Sequence, residues 1–525
     1  MRRFAVIVSM LIALAWLIPH ARVAAAPTDV TRSPDGELHF CLEGAKCVAR
    51  AVADFNGDKK DDVLFEVSTM GVPTANAATA RRRFELHLAP WSAIAGSRNP
   101  GDRQPAGRVV FVLDSAQAVD PVVAADVDGD GLADLVFAQA VSDVEFADPV
   151  GRLLVVRGRR SWASAYNLND LTKVDLRIQR SFPGTQIGLL SLAAADLNGD
   201  KQPDLAVGVD VQKVPDPDNS RSQGTPVRVS SVGIYWGKGK WPALLDAPPD
   251  VAISGLGGCS QGLAGLGDVT GDGLADVVVR RCVAEVQPTQ LRVLPGRSNW
   301  PRELTAENSP AIPRPMPTQG PGAEPTAEPT IEAIGGGGYL PSLPLLEVKL
   351  PEHVELLDVN GDGVADLGLE FAGKTHLFYG GPGLVERAAK NRSSAIILKG
   401  GYGALQLTHS WRRPDLTGDG KPDLVLSRPV DPAFLACPDG SCRRTPLQRP
   451  PTGKPIFVYS SGQGARRVLD MDLDAPDGLW SDPGDVIWGM GDFNGDGKAD
   501  LLLGSSPGAF DSVYALVYGP LALGQ

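Results

Sequence analysis

Histidine is scarce in this chain, with 6 residues among 525. Past the N-terminal stretch they are His39, His87, His353, His376 and His409, and no two have metalloprotease spacing. Cysteine is as sparse: Cys41, Cys47, Cys259, Cys282, Cys437 and Cys442. Neither short pair has zinc-site spacing, and too few histidines stand nearby to complete a zinc set. Their even number and clustering favour local disulfides instead, Cys41 with Cys47, Cys259 with Cys282 and Cys437 with Cys442. An excess of basic residues is also absent, the formal net charge being −12. Nothing here marks a nucleic-acid partner. Beyond the N-terminus no apolar run approaches the roughly 20 residues of a membrane span.

That N-terminus reads as a secretory signal peptide. Arg2 and Arg3 precede an apolar run over 4–18, and the small residues Val23, Ala24, Ala25 and Ala26 follow. Cleavage is expected after Ala25, giving an exported mature protein that is periplasmic, cell-surface or extracellular. The whole chain is 43% hydrophobic with 60 Gly and 44 Pro, too apolar for a disordered chain and suited to many short strands and turns.

Self-comparison carries most of the information. The string Asp-x-(Asn/Asp/Thr)-Gly-Asp-x-x-x-Asp, followed by an apolar strand, begins at Asp54, Asp126, Asp196, Asp268, Asp358, Asp415 and Asp492. The intervals are 72, 70, 72, 90, 57 and 77 residues. A period this long, with a small-residue strand before the loop and three apolar runs after it, predicts four strands per repeat. That is an all-β, seven-bladed β-propeller. The seventh period ends too soon for a fourth strand, so an N-terminal strand at 37–42 is expected to close the ring, which leaves no exposed edge. The long period holds a Pro/Gly-rich insertion at 308–344, read as an excursion that contributes no sheet strand.

The loops point to a metal. Oxygens from positions 1, 3, 5 and 9 can converge on one ion, and the glycine at position 4 permits the tight turn. Hard carboxylates without His or Cys suit Ca²⁺, up to seven ions, ahead of Mg²⁺ or Mn²⁺. The expected ligand sets are Asp54, Asn56, Asp58, Asp62; Asp126, Asp128, Asp130, Asp134; and Asp196, Asn198, Asp200, Asp204. They continue as Asp268, Thr270, Asp272, Asp276; Asp358, Asn360, Asp362, Asp366; Asp415, Thr417, Asp419, Asp423; and Asp492, Asn494, Asp496, Asp500. The loops are not EF-hands, because position 12 is Phe65, Phe137, Val207, Val279, Leu369, Leu426 or Leu503 rather than glutamate. Lys59 and Lys201 at position 6, and Thr at position 3, mark the weaker sites. These sets hold 22 of the 62 acidic residues, so most of the acidity belongs to them.

The segment Asp492-Phe-Asn-Gly-Asp-Gly-Lys-Ala-Asp500-Leu-Leu-Leu-Gly504 resembles the calcium-loop core of FG-GAP/VCBS repeats, which build the integrin alpha-chain head propeller and many exported bacterial proteins. The resemblance spans 37–525. It implies a seven-bladed propeller with calcium between the first two strands of its blades. Clear Phe-Gly and Gly-Ala-Pro flanks are mostly missing, and no integrin-like leg region follows, so an integrin-type receptor role is not implied.

Two strings imitate catalytic motifs. The residues from Gly368 to Thr375 match a phosphate loop, but that chemistry needs a helix where a second strand is expected. The residues from Gly504 to Gly508 match a serine-hydrolase elbow, without its strand–turn–helix setting. Trp91, Trp162, Trp241 and Trp300 follow the third strands of four periods, a placement that favours packing over sugar stacking. No stretch is left for a separate catalytic domain. The expected function is therefore a non-catalytic binding or adhesion module for a glycan or an extracellular or envelope protein. The alternatives are a polysaccharide lyase or hydrolase with its site on the loops, and a structural subunit of an envelope assembly.

Overall fold

The computed structural model describes residues 36–38, 45–69, 80–91, 107–115, 122–141, 150–181, 185–213, 227–237, 244–245, 248–257, 262–282, 290–306, 311–312, 354–358, 360, 362–371, 374–384, 396–399, 415–416, 423–427, 456–460, 468–470, 478–480, 486–504 and 514–519. The fold is all-β, its described elements being strands and one 3-10 helix, Leu171–Lys173. Among the described residues no helix is long and apolar enough to cross a membrane.

The described strands fall into seven sheets, one for each repeat. Sheet 1 is an antiparallel meander of Ala45–Ala53, Asp62–Thr69, Ala80–His87 and Arg108–Ser115. Sheet 2 repeats it with Val122–Ala125, Asp134–Val141, Val150–Val156 and Leu176–Ser181, and sheet 3 with Thr185–Ala195, Asp204–Lys213, Val227–Tyr235 and Val251–Ser254. Sheet 4 uses Leu263–Gly267, Asp276–Arg281, Gln290–Leu294 and Ala311–Ile312, and sheet 5 uses Val354–Leu357, Asp366–Phe371, Lys374–Phe378 and Ile396–Lys399. Sheet 6 shows Asp423–Ser427, Ile456–Ser460 and Gly478–Trp480. Sheet 7 has Val486–Gly491, Asp500–Gly504 and Tyr514–Val517, and its fourth strand is the N-terminal Gly36–Leu38, antiparallel with Gly36 opposite Leu516. The strand at the chain start therefore completes the last sheet, as the sequence predicts.

The hydrophobic cores lie between consecutive sheets. Phe55, Leu64, Phe84 and Phe111 of sheet 1 meet Leu135, Phe137 and Leu154 of sheet 2. Equivalent clusters join sheets 2 and 3, 3 and 4, and 4 and 5. Val63, Phe65 and Trp91 of sheet 1 pack on Phe493, Leu502 and Leu516 of sheet 7. A sheet covered on both faces needs apolar residues on both, so Asp134–Val141 is buried almost throughout rather than at alternate positions. The first strands lie side by side, Val486–Gly491 against Ala45–Ala53, then Val122–Ala125, Thr185–Ala195, Leu263–Gly267 and Val354–Leu357. Their small residues follow from this crowding: a Cβ on Gly491 would stand 2.8 Å from Asp61 Oδ2 and 2.9 Å from Val52 Cγ1.

Two features depart from the sequence expectation. Ala311–Ile312, inside the Pro/Gly-rich stretch, pairs with Gln290–Leu294 as the fourth strand of sheet 4, so that stretch does contribute a strand. Secondly, four sheets gain a fifth strand from the following repeat: Ala165–Asn167, Leu244–Leu245, Glu303–Thr305 and Val468–Asp470 pair in parallel with the outer strands of sheets 1, 2, 3 and 5. These pieces are too short to show any period of their own, and register with a neighbour alone makes them strands.

Candidate metal centres

In sheets 1 to 5 and 7 the Asp loop joins the first and second strands, and in all seven sheets its ninth residue opens a strand. The first aspartate folds the loop over itself. In loop 2, Asp126 Oδ1 accepts from Gly129 N–H at 2.7 Å and its Oδ2 from Gly131 N–H at 2.8 Å. The same pair recurs at Asp54, Asp196, Asp268 and Asp492. Positions 3 and 5 add Asx turns, as where Asp130 Oδ1 accepts from Leu132 N–H at 2.8 Å. Loop 2 alone has aspartate at position 3, and there the carboxylates of Asp126, Asp128 and Asp130 lie within 4.8 Å of one another. Three converging hard oxygens fit a divalent cation of the calcium class. Arg157 Nε stands 3.0 Å from Asp128 Oδ2 and supplies positive charge there.

The ninth aspartate is built differently. Asp134 is fully buried, Oδ2 accepting from Val127 N–H at 3.0 Å and Oδ1 from Gly158 N–H at 2.8 Å. It ties the loop to the chain leaving the third strand. Asp62, Asp204, Asp276 and Asp500 make the same two bonds, and Asp366 makes the second. Burial pushes these carboxyls up, to about 8 for Asp62, about 7 for Asp134, Asp204 and Asp500, and about 6 for Asp276, against the backbone N–H groups that pull them down. Neighbouring loop aspartates raise them further. A group whose folded pKa is raised stabilises the fold below its unfolded pKa and loses that contribution as pH rises through the folded value. The metal-free protein should therefore melt at a higher temperature at pH 6 than at pH 8. His87, fully buried with its pKa lowered by desolvation, opposes this only as pH falls below about 6.5. Calcium, by neutralising the loop aspartates that add to the burial effect, should shrink the trend without abolishing it, which melting curves at both pH values with and without chelator would reveal.

The glycine after the third strand of sheets 2, 3, 4, 5 and 7, in whose place sheet 1 has Ala89, follows from the same seam. Its N–H donates to the ninth aspartate, and a Cβ on Gly158 would lie 2.6 Å from Ala133 O and 2.7 Å from Leu132 Cβ. Gly296 repeats this, 2.6 Å from Ala275 O. Gly158→Ala should cost roughly 2–4 kcal/mol, because backbone must move. An unfolding free energy from urea titration within about 0.5 kcal/mol of the parent would contradict the packing.

Position 6 of the loop has left-handed backbone. Glycine fills it at Gly131, Gly273, Gly363 and Gly497, but Lys59 and Lys201 adopt φ of 67° and 68°. Lys201→Gly should stabilise the protein by about 1 kcal/mol through relief of that strain. It should also strengthen cation binding in loop 3 by removing a positive charge. Calorimetric titration together with a melt would show both effects or refute them.

Of the expected ligands, Thr417 and Asp419 lie outside the described residues, while Asp415 and Asp423 are placed at the two ends of loop 6. Thr270 turns toward the ninth aspartate, its Oγ1 3.4 Å from Asp276 Oδ1. The tryptophans are packing residues. The Arg159 guanidinium covers Trp162 and Tyr166, Arg297 covers Trp300, and Trp300 Nε1 donates to Leu197 O at 2.9 Å. Trp91 is buried against Phe493, and Trp241 is outside the described residues. The phosphate-loop string is a hairpin, Asp366–Phe371 turning into Lys374–Phe378 with Phe371 opposite Lys374. Residues 505–508, His39, His353, His409 and the cysteines Cys41, Cys259, Cys437 and Cys442 are outside the described residues.

No family model matches the chain, and no curated protein matches it. Among solved structures it is similar to an exotype rhamnogalacturonan lyase YesX, at 11% identity and a TM-score of 0.37 over 92% of this chain and 76% of that one. It is also similar to an Agrocybe aegerita lectin described as recognising non-reducing terminal N-acetylglucosamine, at 14% identity and a TM-score of 0.24 over 65% and 79%. Likenesses this low carry no argument about the chemistry of this chain.

Proposed function

We propose that the seven sheets are the blades of a closed β-propeller of the FG-GAP/VCBS type. The chain would be an exported, calcium-loaded, non-catalytic binding module for a glycan or protein. The observation that carries this is the division of labour between the two ends of the sheets. At one end the nine-residue Asp loop recurs in all seven repeats, and in the six where it is described it is docked on the turn that follows the third strand. At the other end the connections between second and third strands vary from Ala372 and Gly373 in sheet 5 to 428–455 in sheet 6. A uniform, stapled end supports the scaffold, and a variable end is where recognition is placed on a rigid frame. In loop 2, Asp126, Asp128 and Asp130 would hold the cation, which supplies the charge that offsets their mutual repulsion.

The test incubates the calcium-loaded protein with a panel of acidic and neutral polysaccharides, scoring retention and chain shortening together with chelator as control. Calcium-dependent retention of an unshortened chain supports the binding module. Shortening would overturn the non-catalytic reading, and an absence of both signals would exclude glycans in favour of a protein ligand.

A further inference from the structure

The Asp loops touch one another through backbone. The carbonyl of a loop's first aspartate accepts the N–H of position 8 in the next loop. Ala133 N–H donates to Asp54 O at 3.1 Å, Ala275 to Asp196 O at 3.1 Å, and Ala365 to Asp268 O at 2.7 Å. Asp61 N–H donates to Asp492 O at 2.8 Å, joining the last loop to the first, and Asp61 Oδ2 accepts from Asp492 N–H at 2.8 Å. The residue after position 8 is the buried ninth aspartate, so each bond runs from one loop's first aspartate into the staple of the next.

Two loops cannot make this bond. Position 8 is Pro203 in loop 3 and Pro422 in loop 6, and proline has no N–H. At the first of these positions the Gln202 side chain stands over Gly129 just as Leu132 stands over Gly57 and Leu274 over Gly199. The two prolines therefore bound a run of loops 3, 4 and 5, and the other bonds seen among the described residues join loops 7, 1 and 2.

We propose that these runs are coupled units, so that a divalent cation ordering one loop also orders the next in its run, and that coupling stops at Pro203 and Pro422. The physical reason is the position of the shared acceptor. A cation drawing the first aspartate's carboxylate fixes that residue's backbone, and its carbonyl is the partner of the next loop's N–H. Coupling of this kind needs two arrangements of one element that both sites bias. The coupling rests on the loops being cation sites, as proposed above.

Hydrogen exchange of the full mature chain in saturating calcium tests it. Asp200→Ala disables loop 3, and the peptide containing Ala275 in loop 4 should then exchange about fivefold faster or more. Asp130→Ala disables loop 2, and exchange in loop 3 should stay at the parent rate because Pro203 breaks the run. Pro203→Ala places at position 8 the residue found in loops 2, 4, 5 and 7, so it should fold. In that background Asp130→Ala should accelerate exchange in loop 3. Effects confined to the mutated loop in every variant, or spreading equally across Pro203, would overturn the coupling while leaving the cation sites standing. Exchange in the parent that is unchanged by calcium would remove the cation sites and the coupling together.

Discussion

Asp134→Ala should destabilise the protein by roughly 3–5 kcal/mol, and by the same amount in calcium and in chelator. The substitution removes no exposed charge and opens no large cavity. Its cost comes from the two backbone N–H groups it leaves behind, those of Val127 and Gly158, in a seam where Val127 and Leu135 are at most 1% exposed. A buried donor without an acceptor costs about 1–3 kcal/mol. Asp134→Asn keeps one acceptor oxygen and should lose about half as much. Denaturation midpoints of the two variants decide the matter. A loss for Asp134→Ala that vanishes in chelator would make the residue a cation ligand alone.

Calcium should produce the second large effect. At a free concentration a hundred times Kd, each filled site adds about 2.7 kcal/mol to the folded state. With an unfolding entropy of about 2 cal/mol/K per residue, several filled sites raise Tm by roughly 10 °C or more. Asp130→Ala should remove one site's share of that gain. Its exposed side chain makes only a local turn bond to Leu132, so in chelator the variant should melt within about 1 °C of the parent. The pair of substitutions separates two roles that the repeat places four residues apart. Asp134 should act on the fold whether or not a metal is present, and Asp130 only when one is. Identical melts in calcium and chelator would leave the loops as Asx-stapled turns.

Much of this was legible because the repeat states it seven times. A nine-residue string recurring in phase marks the loop, the ninth residue as the start of a strand, and the glycine at position 4 as a turn. The N-terminal strand that completes sheet 7 was also legible, since the last repeat is one strand short. The tasks of individual aspartates were not. Positions 1 and 9 are both invariant aspartate in the seven copies, yet one curls its loop around its own N–H groups and the other is a buried staple to a turn some 14 to 33 residues further on. One-dimensional spacing cannot tell converging oxygens from oxygens already engaged by a distant backbone.

The glycine after the third strand in five of the sheets shows the same limit. Its recurrence at Gly158, Gly237, Gly296, Gly380 and Gly519 is visible in the sequence, but its cause is a carbonyl of the adjacent loop that would strike a Cβ. The parallel fifth strands and Ala311–Ile312 left still less trace, because pairing with a neighbour makes two or three residues a strand regardless of their own preference.

The sequence by itself determined the number of repeats, the order of strands within each, and the chemistry of the loops, because local spacing and residue type carry all three. Tertiary structure alone decided which carboxylates meet, which are buried as staples, and where the ladder between loops is broken. Those outcomes depend on backbone groups from distant turns of the same sheet and from neighbouring sheets, and every residue but proline carries the same N–H and C=O. Only their placement in space selects the partners, and only at Pro203 and Pro422 does the sequence show that a donor is missing.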